Sequence, residues 1–281
     1  ALGQVHRFLE LIDQLNPVGV TEDDKDEYKG ECYFLDAYYH FRLLNTFGPI
    51  PVIEQLGDAN ISKNDMPGRS HFDYCVEYIV RKLDQAAYLL PATRDMADKG
   101  RADATICKCI KARVLLYAAS PLWNGSFYDK SWQNRNYETP GYGKELVSTQ
   151  YSRKKWEDAL AACQDAFKAA KDAGYELFTI EKANLIAEKQ KVGLPFIPGR
   201  EEDTPENKEF KERVRMFQYL VASNENDGND ELIWGVNTKR MGVADYWPVL
   251  AEMPAKIIKT NGTTWHKMGG WSFNAPTLNT V

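Results

Sequence analysis

Apolar residues return every three or four positions through much of this chain, and the runs are closed in turn by Pro17, Gly48, Pro91, Pro121 and Gly174. That period is the signature of amphipathic helices, and those residues are helix stops. Val5, Phe8, Leu9, Ile12 and Leu15 predict a first helix, ended at Asn16-Pro17. The acidic run 21–27 reads as a solvated helix start, because acids favour the first turn. A central helix follows. Tyr28, Cys32, Leu35, Tyr39 and Leu43 give it one apolar face, and Tyr38, Phe41, Leu44 and Phe47 widen that face. A helix this apolar must be packed on more than one side. Gly48 stands where a left-handed C-cap wants glycine, and Pro49 and Pro51 force an extended exit.

The same reading places helices at 69–90, on Phe72, Val76, Ile79, Leu83 and Tyr88, and at 100–119, on Ile106, Ile110, Val114 and Tyr117. In the second of these, Ala104, Ala112, Ala118 and Ala119 would let a neighbouring helix approach closely. Residues 122–151 carry no sustained period and predict a long loop of the kind that is often functional. A further helix spans 153–173, with Trp156, Leu160, Cys163 and Phe167 in step and Trp156 expected in the core. Residues 182–190 read as a short helix, and 210–221 fit either a helix or a strand. Beyond 223 the texture turns to Gly, Asn, Asp, Pro and Trp, and 231–236 (ELIWGV) reads as a strand. Helix, turn, helix with small residues at mid-helix is the pattern of tetratricopeptide-type (TPR) α-hairpins, here without a strict period. The fold class is therefore mainly α: TPR-like hairpin repeats over 1–178, with a long loop at 122–151. A loop-rich, aromatic region over 179–281 packs on them.

Composition narrows the function. The chain has 281 residues, 43% hydrophobic and 12% aromatic, enough for a sizeable core. Net charge is −5, and no basic stripe is present, which argues against nucleic acid and anionic membrane surfaces as partners. Five cysteines cannot form a complete disulfide framework, and all fall inside helical patterns, as small buried residues would. No apolar run is long enough to span a bilayer. The motifs of serine hydrolases, P-loop nucleotide binders, zinc proteases and dinucleotide binders are missing. The four histidines (His6, His40, His71 and His266) are scattered. No cofactor or metal is expected. Residues 224–230 (NENDGND) fail the EF-hand spacing and read as a solvated turn.

Two segments stand together as motifs: residues 30–51, GECYFLDAYYHFRLLNTFGPIP, and residues 100–125, GRADATICKCIKARVLLYAASPLWNG. Both resemble the SusD/RagB family of nutrient-binding outer-membrane lipoproteins. Residues 84–91, 151–177, NDELIWGV and GGWSFNAPTLNTV are similar to further family segments, in the family's order. Cys32 replaces a usual small residue, and Asp36 stands where the family more often has a base. The resemblance implies a surface protein of a Bacteroidetes-type Gram-negative bacterium. Such a protein sits in the outer membrane through a lipid anchor and works with a SusC-like TonB-dependent transporter. It would bind a polysaccharide or oligosaccharide and deliver it without chemistry. The family's N-terminal portion, lipid-bearing cysteine and later segments are not found in this sequence. The reading is thus of part of a longer lipoprotein.

Sugar recognition wants flat aromatic faces beside Asn, Asp or Arg groups. Two stretches offer that mixture. One holds Trp132 and Tyr142, near Asn134, Arg135 and Tyr137; the other holds Tyr246, Trp247, Asn261 and Trp265. These six, Trp132, Tyr142, Tyr246, Trp247, Asn261 and Trp265, are the expected glycan contacts. Trp123, Trp156 and Trp271 read as structural. Two alternatives remain at this stage. A TPR-like adaptor would grip a protein or peptide in its helical groove. An all-helical glycoside hydrolase would need a carboxylate pair, and forty acidic residues keep that open.

Overall fold

The computed structural model describes residues 1–15, 17–55, 57, 60–62, 65–95, 97–222, 228–235, 256–260 and 264–268. Its elements are α1 (Leu2–Ile12), α2 (Glu22–Phe47), α3 (Phe72–Leu89), α4 (Ala104–Ala119), a 3-10 turn (Pro121–Trp123), α5 (Arg153–Asp172), α6 (Ile180–Gln190), α7 (Pro205–Ala222), β1 (Lys256–Thr260) and β2 (Thr264–Met268). The chain divides into two compact units, Ala1–Gly235 and Val236–Val281. In the first, α1 packs on α2, α2 on α3, α3 on α4 and α4 on α5, while α6 and α7 form a separate pair. This is the mainly helical, hairpin-on-hairpin architecture that the periodicity predicts. Among the described residues, no helix is long and apolar enough to cross a membrane.

Side-chain caps start several of the helices. Thr21 caps α2 with a reciprocal box: the Asp24 amide donates to Thr21 Oγ1 at 3.1 Å, and the Thr21 amide donates to Asp24 Oδ2 at 2.8 Å. The Asp103 carboxylate accepts from the Ile106 amide at 2.7 Å and opens α4. Gly48 ends α2 at φ 67°, a region that favours glycine, but its ψ of −145° turns the chain outward into the two prolines rather than into a left-handed cap.

The paired motifs have a shared physical basis. A Cβ on Gly30 would fall 2.8 Å from Leu90 Cγ, so glycine lets α2 meet the end of α3. Beside it on α2, Glu27 one turn before and Glu31 next in sequence receive two arginines from the α3–α4 connection. Arg94 donates to Glu27 and, at 3.0 Å, to Glu31. Arg101 donates to Glu31 at 2.7 Å and to Glu27 at 3.2 Å. Arg94 has only 5% of its side chain exposed, while Glu31, Glu27 and Arg101 keep 24%, 32% and 36%, so the network is partly withdrawn from water.

Three expectations are corrected. The buried face of α2 is Gly30, Phe34, Ala37, Phe41 and Leu44, together with Asp36 and His40; Tyr28, Leu35 and Leu43 lie outside it. Both stripes have helical spacing, and neighbouring α3 decides between them. On α5 the buried stripe is Ala159, Ala162 and Ala166, which meets Ala112 of α4. Trp156, Leu160 and Phe167 are 40%, 60% and 69% exposed. Small residues win this interface because they bring two helix backbones close. Ala162→Leu is therefore expected to destabilise by about 1–3 kcal/mol through overpacking. Leu160→Ser should stay within about 0.5 kcal/mol. Urea denaturation of both variants checks the assignment, and the reverse order would refute it.

The third correction concerns 231–235, which form no strand. Trp234 instead stands edge-on to Phe34 and Tyr38, at 5.3 and 5.2 Å, and donates its indole N–H to the Gly100 carbonyl at 3.0 Å. The second unit contains an antiparallel hairpin of β1 and β2 that no sequence signal announced, with Trp265 opposite Lys259.

Candidate functional site

The 122–151 loop is pinned to the helices at both ends. Trp123 stacks on Phe72 of α3, ring centres 4.1 Å apart and 8° from parallel. Phe127 stacks on Trp123, and Trp132 on Phe127, at 5.4 and 5.3 Å. Arg69 closes this ladder, its guanidinium 5.7 Å from the Trp132 ring centre and donating to the carbonyls of Phe47 and Pro49. At the base of the loop, the Asn124 amide group bridges to Ser152, donating to its carbonyl at 3.0 Å and accepting its N–H at 2.7 Å. Lys155 of α5 reaches back to Asp73 at 2.6 Å and to the Trp123 carbonyl at 2.9 Å.

At the far end, Thr139 and Gly143 exchange backbone hydrogen bonds of 2.7 and 3.0 Å across a tight turn. Gly141 at φ 79° and Gly143 at φ 61° supply the left-handed backbone that this turn needs. Thr139 Oγ1 accepts the His71 amide at 2.8 Å and docks the turn on the start of α3. The turn presents Tyr142, whose ring lies 4.2 Å from His71 and 14° from parallel. Its hydroxyl donates to Glu77. Burial and then the Glu77 hydrogen bond raise the phenol's pKa, so it remains a donor. The His71 pKa is depressed, chiefly by burial, against the opposing pull of Asp73. The neutral ring accepts the Asp73 amide on Nδ1 at 3.0 Å, capping α3.

His71 therefore ties this platform to pH. A depressed folded pKa means the unfolded chain binds the proton more readily. The contribution of His71 is complete above the ordinary value of about 6.5 and declines as pH falls below it. Wild type should lose thermal stability between about pH 7.5 and 5.5, and His71→Asn, which keeps a cap acceptor, should lose less. Equal losses in the two proteins would remove His71 as the cause.

Glu77 stands on the rim of a groove of about 450 Å³ between α3, α4 and α5. Val76, Val80, Leu115, Ala161 and Ala162 give it an apolar floor, and Glu77, Lys108, Lys111, Asp158 and Asp165 a charged rim. Lys108 pairs with Asp165 at 3.1 Å, Lys111 with Asp84 at 2.7 Å, and Asp158 with Lys154 at 2.6 Å. A half-buried aromatic ring, an oriented carboxylate and further hydroxyl-binding groups around an apolar floor make a site suited to a polyhydroxylated ligand. A larger recess of about 750 Å³ along α1 is lined by Phe8, Leu11, Ile12, Leu15, Pro17 and Val20, with Gln4 and Arg7 its main polar groups. It offers little to sugar hydroxyls.

Of the six expected contacts, Tyr142 is joined to the rim of this groove through its hydrogen bond to Glu77 and does not itself line it. Trp132 shares its loop but packs between Phe127 and Arg69 against the core. Trp265 lies on β2, and Tyr246, Trp247 and Asn261 fall outside the described residues. Sequence reasoning missed Glu77 and His71. Glu77 follows Val76 on the polar side of an amphipathic helix, where a glutamate is unremarked, and its partner is 65 residues away.

Residues 4–116 match the SusD-like family described as starch-binding and associating with the outer membrane. Among solved structures, the protein named BT4246 is 43% identical and superposes with a TM-score of 0.84, over 99% of this chain and 44% of its own. Its selenomethionine form gives 0.80 at the same identity and coverage. A SusD-like protein (BF3747) from Bacteroides fragilis NCTC 9343 is 21% identical, with a TM-score of 0.46 over 71% of this chain and 32% of its own. The chain thus spans less than half the length of the first of these relatives. No curated protein matches.

Proposed function

Because this chain belongs to the SusD/RagB family of SusD-like proteins, we propose that it captures a glycan at the outer-membrane surface and passes it, uncleaved, to a SusC-like TonB-dependent transporter. The observation that carries the reading here is the Tyr142–Glu77 unit on the rim of the α3–α5 groove. The aromatic face would cover the C–H face of a pyranose, and the carboxylate would accept from its hydroxyls. Tyr246, Trp247, Asn261 and Trp265 are proposed as a second set of contacts. A lipid anchor would hold the protein at the surface. The family's starch-binding description supports a carbohydrate ligand.

Calorimetric titration with a polysaccharide panel, run beside a reducing-sugar assay, tests this. One polysaccharide class should bind without new reducing ends. Tyr142→Ala should weaken that binding by about 1–2 kcal/mol, roughly five- to thirty-fold. Release of reducing ends would replace capture with hydrolysis.

A further inference from the structure

Resting on the glycan reading above, we infer that the α3–α5 groove selects neutral sugars and turns away uronic and sulfated ones. A ligand carboxylate or sulfate needs a cation whose charge is not already neutralised by a protein carboxylate, best an arginine fork. The groove is lined by no arginine, and its two lysines are both engaged by carboxylates. Lys111 is held by both oxygens of Asp84, at 2.7 and 2.9 Å.

Carboxylates lead the rest of the rim. Asp158 and Asp165 are each matched by one lysine, whereas Glu77 is held by a neutral hydroxyl, that of Tyr142. Glu77 thus presents net negative charge where a ligand would enter. An acidic sugar would bring a like charge against it. A neutral sugar meets the opposite situation: Glu77 keeps acceptor capacity for two adjacent hydroxyls, and ammonium protons lie across the groove. The tyrosine fixes that carboxylate in place before the ligand arrives, which spares the cost of ordering it on binding.

Two probe sets test this on the whole chain by calorimetric titration. The neutral set is maltohexaose, laminarihexaose and a xyloglucan heptasaccharide; the acidic set is hexagalacturonate and a heparin hexasaccharide. At least one neutral probe should bind, with little change between low and high salt, and neither acidic probe should bind. Glu77→Gln should lower neutral affinity about tenfold, within the range for a hydrogen bond to a charged group. Tyr142→Phe, which frees Glu77 but keeps the ring, should lower it in the same direction. An acidic probe that binds wild type and is lost in Tyr142→Ala would overturn the charge selection and leave glycan capture standing. Neutral binding unmoved by all three variants would overturn the groove as the site. Failure of every probe would overturn glycan capture itself.

Discussion

Asp36→Ala is expected to lower the unfolding free energy by about 3–5 kcal/mol, the cost of leaving buried partners without their counter-charge. Asp36 is fully buried at the junction of three helices. His6 of α1 lies 3.4 Å from Oδ1, and His40 Nδ1, one turn along α2, lies 2.9 Å from Oδ1 and 2.8 Å from the Asp36 carbonyl. From α3, the Tyr78 hydroxyl donates to Oδ2 at 2.6 Å, and the Lys82 ammonium lies 3.6 Å away. Burial pushes the Asp36 pKa up, but the hydrogen bonds of His40 and Tyr78 and the charges of His40 and Lys82 bring it below the ordinary value. A carboxylate with a depressed folded pKa stabilises above its unfolded value, about 3.9, and that stability is lost as pH falls through the folded pKa. The wild-type advantage over Asp36→Ala should therefore be full at neutral pH and shrink below about pH 4. Urea denaturation at pH 7 and pH 3.5 measures both parts. A difference under about 1 kcal/mol at pH 7 would sink the assignment of Asp36 as the junction of α1, α2 and α3.

Trp123→Ala should cost about 3–5 kcal/mol, as truncation of a buried tryptophan does. The ring is 6% exposed and lies between Phe72 and Phe127 in the ladder that anchors the 122–151 loop. Its Nε1–H is buried with no partner, so part of the lost packing is offset by removing an unsatisfied donor. Trp123→Phe isolates that effect: it keeps an aromatic ring, removes the unpaired N–H and should cost far less. Because the loop carries Tyr142, Trp123→Ala should also weaken the proposed glycan binding more than its distance from the groove suggests. Trp156→Ala is the control. That residue is 40% exposed, and its loss should cost clearly less than that of Trp123. Equal destabilisation in the two variants would contradict the burial pattern.

The contrast between these two tryptophans shows what sequence could and could not carry. Both were read as core. Trp123 follows a helix stop and must fold somewhere; it folds onto Phe72, and the reading holds. Trp156 belongs to a well-spaced apolar stripe, yet α4 takes the alanine stripe beside it. Helical period says that a face exists. It does not say which of two faces a neighbour will choose, because that choice depends on how closely two backbones can approach. The same ambiguity explains α2. At the candidate site, aromatic and polar composition marked the loop and Tyr142 as candidates. Glu77 was not, because its role comes from a partner in another segment.

The sequence by itself determined, to within a few residues, where the first six helices begin and end, since caps, prolines and glycines act locally, but it left open whether 210–221 is a helix, which the fold makes part of α7. It also carried the family resemblance, through the motifs at 30–51 and 100–125, whose Gly30, Glu31 and Arg101 the fold brings together with Leu90, Glu27 and Arg94. Only the tertiary structure decided which stripe of α2 and of α5 is buried, that Asp36 joins three helices, and that Tyr142 holds Glu77 at the groove. Those are contacts between residues far apart in the chain. Their energy depends on shape, burial and the local dielectric, none of which a spacing along the chain specifies.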